Sequence, residues 1–238
     1  MFVLTYVRPL GSVNERTLLT VGAMEIALID VALLLAACWL LRIVFVLRRG
    51  RSAQPSGRPP LRTMAVLGSG GHTAEILPLL DGLDPALYTP REYVLATSDA
   101  TSAAKIEALE AARLAAGAPP SHALRRLPRS REVGQSYASS VGTTLWATLH
   151  AVALVFRARP AVLLCNGPGT CIPVALAALA LRLLGVRYVT IVYVESVCRV
   201  TSLSLSGKLL LPLADHFLVQ WPQLAHAHPK ARYIGRLA

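Results

Sequence analysis

The run IALIDVALLLAACWLLRIVFVL, Ile26–Leu47, constrains this chain more than any other feature. As a helix rising about 1.5 Å per residue it reaches roughly 33 Å, enough to cross a hydrocarbon layer of about 30 Å. Its two charges, Asp30 and Arg42, sit toward the ends, where each reaches a headgroup layer, and Val31–Leu41 carries none. The flank after the run holds Arg48, Arg49, Arg51, Arg58 and Arg62 without an acid, whereas the flank before it sets Arg8 and Arg16 against Glu15 and Glu25. The positive-inside rule then places the large C-terminal part in the cytosol. A cleaved signal peptide is disfavoured by the length of the run and the basic residues after it. An in-plane amphipathic helix is disfavoured because no polar face surrounds Val31–Leu41. The expected organisation is a segment over 1–23 without a recognisable element, a transmembrane helix over 24–47, a basic linker over 48–62 and a cytosolic domain over 63–238. Within the linker, Gly50–Pro60 is rich in Ser, Pro, Gly and Arg.

The membrane run alone does not explain a chain that is 54% hydrophobic; the rest must form a core dense in Ala, Leu and Val. Strand-like and helix-like runs alternate from Met64 onward. Strands are expected at Met64–Leu67, Tyr93–Ala96, Ala123–Leu127, Ala161–Cys165, Tyr188–Val194 and His216–Val219. Helices are expected over Ala74–Leu80, Ala100–Ala116, Ser136–Phe156, Ile172–Leu184 and Leu205–Leu211. This α/β alternation implies a Rossmann-like parallel sheet with helices on both faces. Ligands then bind beyond the C-terminal strand ends, in the loops over 68–73, 166–170 and 195–202.

The net charge of +11 comes almost wholly from arginine and suggests an anionic partner. Nucleic acid is not that partner, since the chain has no RNA-binding aromatic box, zinc-finger spacing or clean helix-turn-helix. The four cysteines form no CxxC pair, which argues against a disulfide framework or zinc site and for a reducing compartment.

The first loop reads Gly68-Ser69-Gly70-Gly71-His72-Thr73. Glycines let backbone N–H groups approach a phosphate, and the following helix N-terminus favours negative charge. A dinucleotide fingerprint needs Gly where Thr73 stands and an earlier acid than Asp99; a P-loop needs Gly-Lys-Ser/Thr. The loop therefore reads as a phosphate cradle of neither common kind, or as a tight turn. Asn166-Gly167-Pro168-Gly169-Thr170 repeats the logic after the AVLLC strand, with Pro168 stiffening the loop. Two such loops in one small sheet point to a pyrophosphate. His72 is a candidate general base or a ligand to a phosphate or sugar hydroxyl. Glu195 either bonds backbone amides of its own loop or orients a sugar hydroxyl and takes its proton. The arginines of the RRLPRSRE run, with Arg129 and Arg131 among them, are either solvated or face phosphates and headgroups, as does Arg199.

GSGGHTAEIL, PRSREVGQS, LCNGPGTCIP, IVYVESVCRV, SLSGKLL and FLVQWPQL, in this order, resemble the membrane-anchor subunit family of the UDP-N-acetylglucosamine transferase of asparagine-linked glycosylation. The resemblance runs from about Ile26 to the C-terminus. It implies the N-terminal, acceptor-side half of a GT-B glycosyltransferase, active only with a separate, soluble donor-binding catalytic subunit. It implies the cytosolic face of the endoplasmic reticulum membrane, with residues 1–23 lumenal. The implied reaction adds a second N-acetylglucosamine to N-acetylglucosaminyl-diphosphodolichol. The resemblance implies no metal and no other cofactor. It carries Gly68, Ser69, Gly70, Gly71 and Thr73, with Asn166, Gly167, Gly169 and Thr170, as the acceptor-diphosphate loops. The expected docking segment for the partner is Tyr233, Ile234, Gly235, Arg236 and Leu237, where a one-chain GT-B enzyme would cross to its second half. The rival reading is a non-enzymatic membrane scaffold that only recruits its partner; a nucleotide-binding reductase is disfavoured by the missing third Gly and acid.

Overall fold

In the computed structural model, residues 15–49, 59–131, 134–167 and 169–237 are described; positions 1–14, 50–58, Glu132, Val133, Pro168 and Ala238 lie outside the described residues. The chain divides into two compact units, Met1–Phe45 and Val46–Ala238. Helix α1 spans Glu15–Arg49, so the part of the N-terminal segment from Glu15 onward is helical rather than without an element. ERTLLTV contains no breaker, and a helix once nucleated grows one hydrogen bond per residue. The apolar stretch of α1, Met24–Arg48, exposes Leu33, Leu35 and Leu41 by 63%, 64% and 69%. A helix apolar on every side fits a membrane anchor, because its backbone polar groups are satisfied internally.

The second unit is built on a seven-stranded parallel sheet. In chain order it contains β1 (Thr63–Val66), α2 (Gly71–Asp81), β2 (Arg91–Ala96), α3 (Thr101–Ala115), β3 (His122–Leu127), α4 (Tyr137–Ala158) and β4 (Val162–Asn166). Then follow α5 (Cys171–Leu183), β5 (Thr190–Val194), α6 (Leu205–Leu210), β6 (His216–Val219), α7 (Pro222–Ala227) and β7 (Ala231–Tyr233). Every strand and helix expected after Met64 is present, with boundaries shifted by a few residues. The pair α7 and β7 was not anticipated, since PQLAHA and ARY are too short to show a period.

The strand order is β3-β2-β1-β4-β5-β6-β7. The chain moves one way from β1 to β3, then returns and continues the other way from β4, so β1 and β4 are neighbours with Val66 beside Cys165. Successive residues of β1 face opposite sides. Met64 and Val66 pack with Ala151 and Val155 of α4 and with Val174, Ala178 and Leu181 of α5. Ala65 and Leu67 pack with Ile76 and Leu80 of α2 and Ile106 of α3. The helices after β1 and β4 thus leave on opposite faces, and a crevice opens between the two strand ends.

Helix α4 is also long and apolar enough to cross a membrane by length and composition alone. It is instead a domain helix, because Ala147, Ala151, Val155 and Ala158 are buried on one side. Ser136 caps it by accepting the Ser139 N–H at 3.2 Å. Its other side is unusual: Val141, Leu145, Trp146 and Leu149 are 57–68% exposed and recur at helical spacing.

Candidate active site at the switch point

Beyond the ends of β1, β4 and β5 lies a cleft of about 810 Å³. Ser69, Gly71 and His72 border it on the β1 side, Gly167, Gly169 and Thr170 on the β4 side, and Glu195, Ser196 and Arg199 on the β5 side. Arg129, Ser130 and Arg131 close it from the β3–α4 connection, and Leu205 and Leu209 of α6 form an apolar rim. The volume suits a small polar ligand.

The two glycine loops interlock. Gly167 has φ +83°, in the left-handed region, and a side chain there would overlap the His72 ring. Gly70, at φ +69°, lets the chain turn from β1 into α2 with open space around it. Thr73 is fully buried; its hydroxyl donates to the Gly68 carbonyl and lies 2.6 Å from Ser102 Oγ, closing the loop from below. Asp99 anchors that support by accepting the Thr101 and Ser102 N–H groups at 3.2 and 3.0 Å. Burial alone would raise the Asp99 carboxyl, but the bonds from Ser102 and Thr101 outweigh it and hold the group below the usual range.

Under the second loop, Cys165 and Cys171 are buried free thiols. A hydrogen bond with Cys171, together with complete burial, holds the Cys165 thiol well above its ordinary value, so it stays neutral and inert. Asn166 is fully buried, and its Nδ2 donates to Glu75 Oε2 at 3.2 Å and to the Val194 carbonyl at 3.4 Å.

Glu195 is also completely buried. Its carboxylate accepts the Ser196 N–H at 3.1 Å, the Ser204 N–H at 3.0 Å and the Ser204 hydroxyl at 3.1 Å. A side chain on Gly207 would overlap Glu195 Oε2, so α6 closes directly over the carboxylate. Burial, and then the Glu195 charge, keep the Tyr193 hydroxyl protonated above its ordinary value. This geometry favours the reading of Glu195 as the clamp that shapes the 196–204 loop.

The profile of the family described as "Oligosaccharide biosynthesis protein Alg14 like" matches residues 63–237, the whole of this sheet and its cleft. The chain belongs to the Alg14 family. UDP-N-acetylglucosamine transferase subunit ALG14 of Rattus norvegicus is 50% identical over 206 residues, covering 85% of this chain and 94% of the relative. The Homo sapiens protein of that name is 49% identical, covering 83% and 91%, and the Schizosaccharomyces pombe protein 42% identical, covering 86% and 98%. Among solved structures, Acinetobacter baumannii MurG superposes with a TM-score of 0.46 at 15% identity, over 68% of this chain and 41% of that one.

In this Alg14-family chain the cleft gathers most of the residues singled out in the sequence: His72, Glu195, Ser69, Gly71, Gly167, Gly169, Thr170, Arg129, Arg131 and Arg199 border it. Gly68, Thr73 and Asn166 lie behind that lining as its support. Arg129 donates to Ser69 Oγ at 3.3 Å and Arg131 to the Gln135 carbonyl at 2.8 Å, so both are tethered at the cleft wall. Tyr233, Ile234, Gly235, Arg236 and Leu237 lie apart from the cleft: Tyr233 ends the edge strand β7, and the Arg236 guanidinium stacks 4.7 Å over the Trp221 ring.

Ser130, part of the arginine run noted in the sequence, is buried with an unpartnered hydroxyl. Glu75, 5% exposed and bordering the cleft, escaped the sequence reading. The one sequence sign of Glu75 is its position three residues after His72, one turn along the same helix face.

Proposed function

We propose that this chain is the membrane-anchoring, acceptor-binding subunit of a UDP-N-acetylglucosamine transferase. It recruits a separate donor-binding catalytic subunit to the cytosolic face of the endoplasmic reticulum. The pair adds the second N-acetylglucosamine to N-acetylglucosaminyl-diphosphodolichol for protein N-glycosylation. The chain supplies the acceptor half of a GT-B architecture, with residues 1–23 lumenal, the membrane span over 24–47 and the acceptor domain over 63–238.

The observation that carries this reading is the meeting of two glycine loops at the β1–β4 crevice, with arginines on one wall of the cleft and leucines on another. Backbone N–H groups and Arg129, Arg131 and Arg199 suit a diphosphate. Leu205 and Leu209, 55% and 50% exposed, suit the start of a polyprenyl chain. The exposed face of α4 around Val141 and Leu145 gives an apolar surface beside them, since Ser140 and Thr144 of the same helix border the cleft. His72 is the candidate general base for the sugar hydroxyl. The names of the relatives, each a transferase subunit, support an enzyme that includes a partner subunit.

The test is transfer of labelled N-acetylglucosamine to a short-chain acceptor by membranes containing this chain, with and without the donor-binding partner. Transfer is expected only with both. Removing 233–238 is expected to abolish co-purification of the partner. The rival scaffold reading predicts that substitutions lining the cleft leave turnover intact in an assembled complex.

A further inference from the structure

We propose that Glu75 is the positioning residue for His72. Its carboxylate sets the tautomer and orientation of the imidazole and stabilises the imidazolium formed when the ring takes the proton of the acceptor hydroxyl. This rests on the reading of His72 as general base.

A carboxylate removed from water is costly unless its charge is compensated. Glu75 is 5% exposed, and its two hydrogen-bond donors are neutral: Asn166 Nδ2 at 3.2 Å and Ser196 Oγ at 2.8 Å. Among the described residues, the cation-capable group in ion-pair range of Glu75 is His72, with Nδ1 3.9 Å from Oε2. That distance is too long for a hydrogen bond, and Nδ1 is buried without any other partner. A carboxylate and an unsatisfied ring nitrogen therefore face each other across a gap that closes to a charge-assisted bond with a shift of about 1 Å. Contacts of this kind are commonly long before substrate arrives.

The surroundings determine which way the ring works. Gly167 packs against the imidazole so closely that no side chain fits between them. Nδ1 is the buried nitrogen, and the His72 side chain remains 33% exposed, which leaves Nε2 for the cleft. With Nδ1–H donated to Glu75, the Nε2 lone pair accepts the hydroxyl proton. The acceptor oxygen bonds to the anomeric carbon of the donor sugar, and the bond from that carbon to the diphosphate oxygen breaks, with its electron pair leaving on UDP. The proton on Nε2 passes afterwards to solvent. Among the described residues, the other charged groups around the cleft are Arg129 and Arg131 from the β3–α4 connection, and Glu195 and Arg199 after β5. Glu195 is already engaged by Ser196 and Ser204, and Cys198 borders the cleft beside Arg199. The β4–α5 loop contributes no charged group among its described residues.

The test is steady-state kinetics of the two-subunit complex carrying Glu75→Gln. Glutamine keeps the shape: its carbonyl accepts from Asn166 and its amide donates to Ser196 Oγ. Turnover is expected to fall on the order of 100-fold with acceptor KM nearly unchanged. Glu75→Asp, which keeps the charge, should recover part of the lost turnover. In a His72→Ala background, Glu75→Gln should cost nothing further. An unchanged turnover, a loss carried by acceptor KM instead, or an equal further loss in that background overturns the inference. Wild-type turnover from His72→Ala overturns the general-base reading itself, so the two failures are separable. If Glu75→Gln does not fold, the His72→Ala cycle measured with Glu75→Asp decides, a turnover effect that vanishes in the His72→Ala background supporting the inference and an equal loss there overturning it.

Discussion

The imidazole of His72 lies directly against Gly167, so the first glycine loop carries a side chain that only a glycine in the second loop accommodates. The two loops are one unit, although β1 and β4 are separated by β2 and β3 in the chain. Gly167→Ala would strain a backbone at φ +83° by about 1–3 kcal/mol and displace the ring. A large loss of turnover is expected, with the partner still bound, measured by kinetics and co-purification of the same preparation.

Gly169 makes the complementary case. A methyl group there meets only Ser130 Cβ at 3.9 Å, an ordinary contact, so the protein itself tolerates Gly169→Ala. Any loss must come from the ligand. Thermal stability is expected to stay at the wild-type value while acceptor KM rises if the diphosphate approaches this backbone; an unchanged KM removes Gly169 from the site.

Glu195→Gln should behave as a structural substitution. Its carboxylate accepts two backbone N–H groups and a hydroxyl through both oxygens, and glutamine keeps one acceptor oxygen but sets an NH2 donor against the donors at the other. The expected cost is about 1–3 kcal/mol of stability, with the 196–204 loop loosened. Calorimetry and limited proteolysis of that loop check it. A loss of turnover with unchanged stability and loop protection would restore a direct role in the chemistry.

The exposed apolar face of α4 yields a prediction specific to lipid. Leu145→Asp with Leu149→Asp alters side chains that are 62% and 58% exposed, so folding should be little affected. Activity on a long-chain acceptor in vesicles is expected to drop, while activity on a short-chain acceptor in detergent stays near normal. Equal loss on both acceptors would refute a membrane contact at this face.

Away from the cleft, Glu110 is held by Arg91 at 2.8 and 2.7 Å, by Arg113 at 2.9 Å and by the Tyr93 hydroxyl. Burial raises its carboxyl, but the bonds from Arg91, Tyr93 and Arg113 outweigh it and hold the group below its ordinary value. A depressed carboxylate contributes stability above its unfolded pKa, about 4.3, and that contribution is lost as pH falls through the folded value. Glu110→Gln leaves buried arginines unpaired and should cost about 3–5 kcal/mol at neutral pH. Its melting temperature should also fall less steeply between neutral pH and pH 3 than that of the wild type. Melting curves across that range test both statements.

The sequence by itself determined what depends on neighbours along the chain. Composition and length of one run marked the apolar helix of α1, period and residue type marked the strands and helices after Met64, and glycine clusters marked the turns into α2 and α5. The helix start at Glu15 and the short α7–β7 pair escaped, because neither carries a periodic signal long enough to separate it from its surroundings. Only the tertiary structure decided which polar groups meet. Glu75 is an unremarked helix residue until the strand order sets β4 beside β1 and β5 beyond it. Then Asn166, 91 positions on, and Ser196, 121 positions on, become its donors. The same folding closes Ser204 and Gly207 over the Glu195 carboxylate, a contact that favours the loop-clamp reading and that no local pattern shows. Hydrogen bonds act over about 3 Å in space and carry no trace of sequence distance, so the partners of a buried carboxylate cannot be read from local pattern.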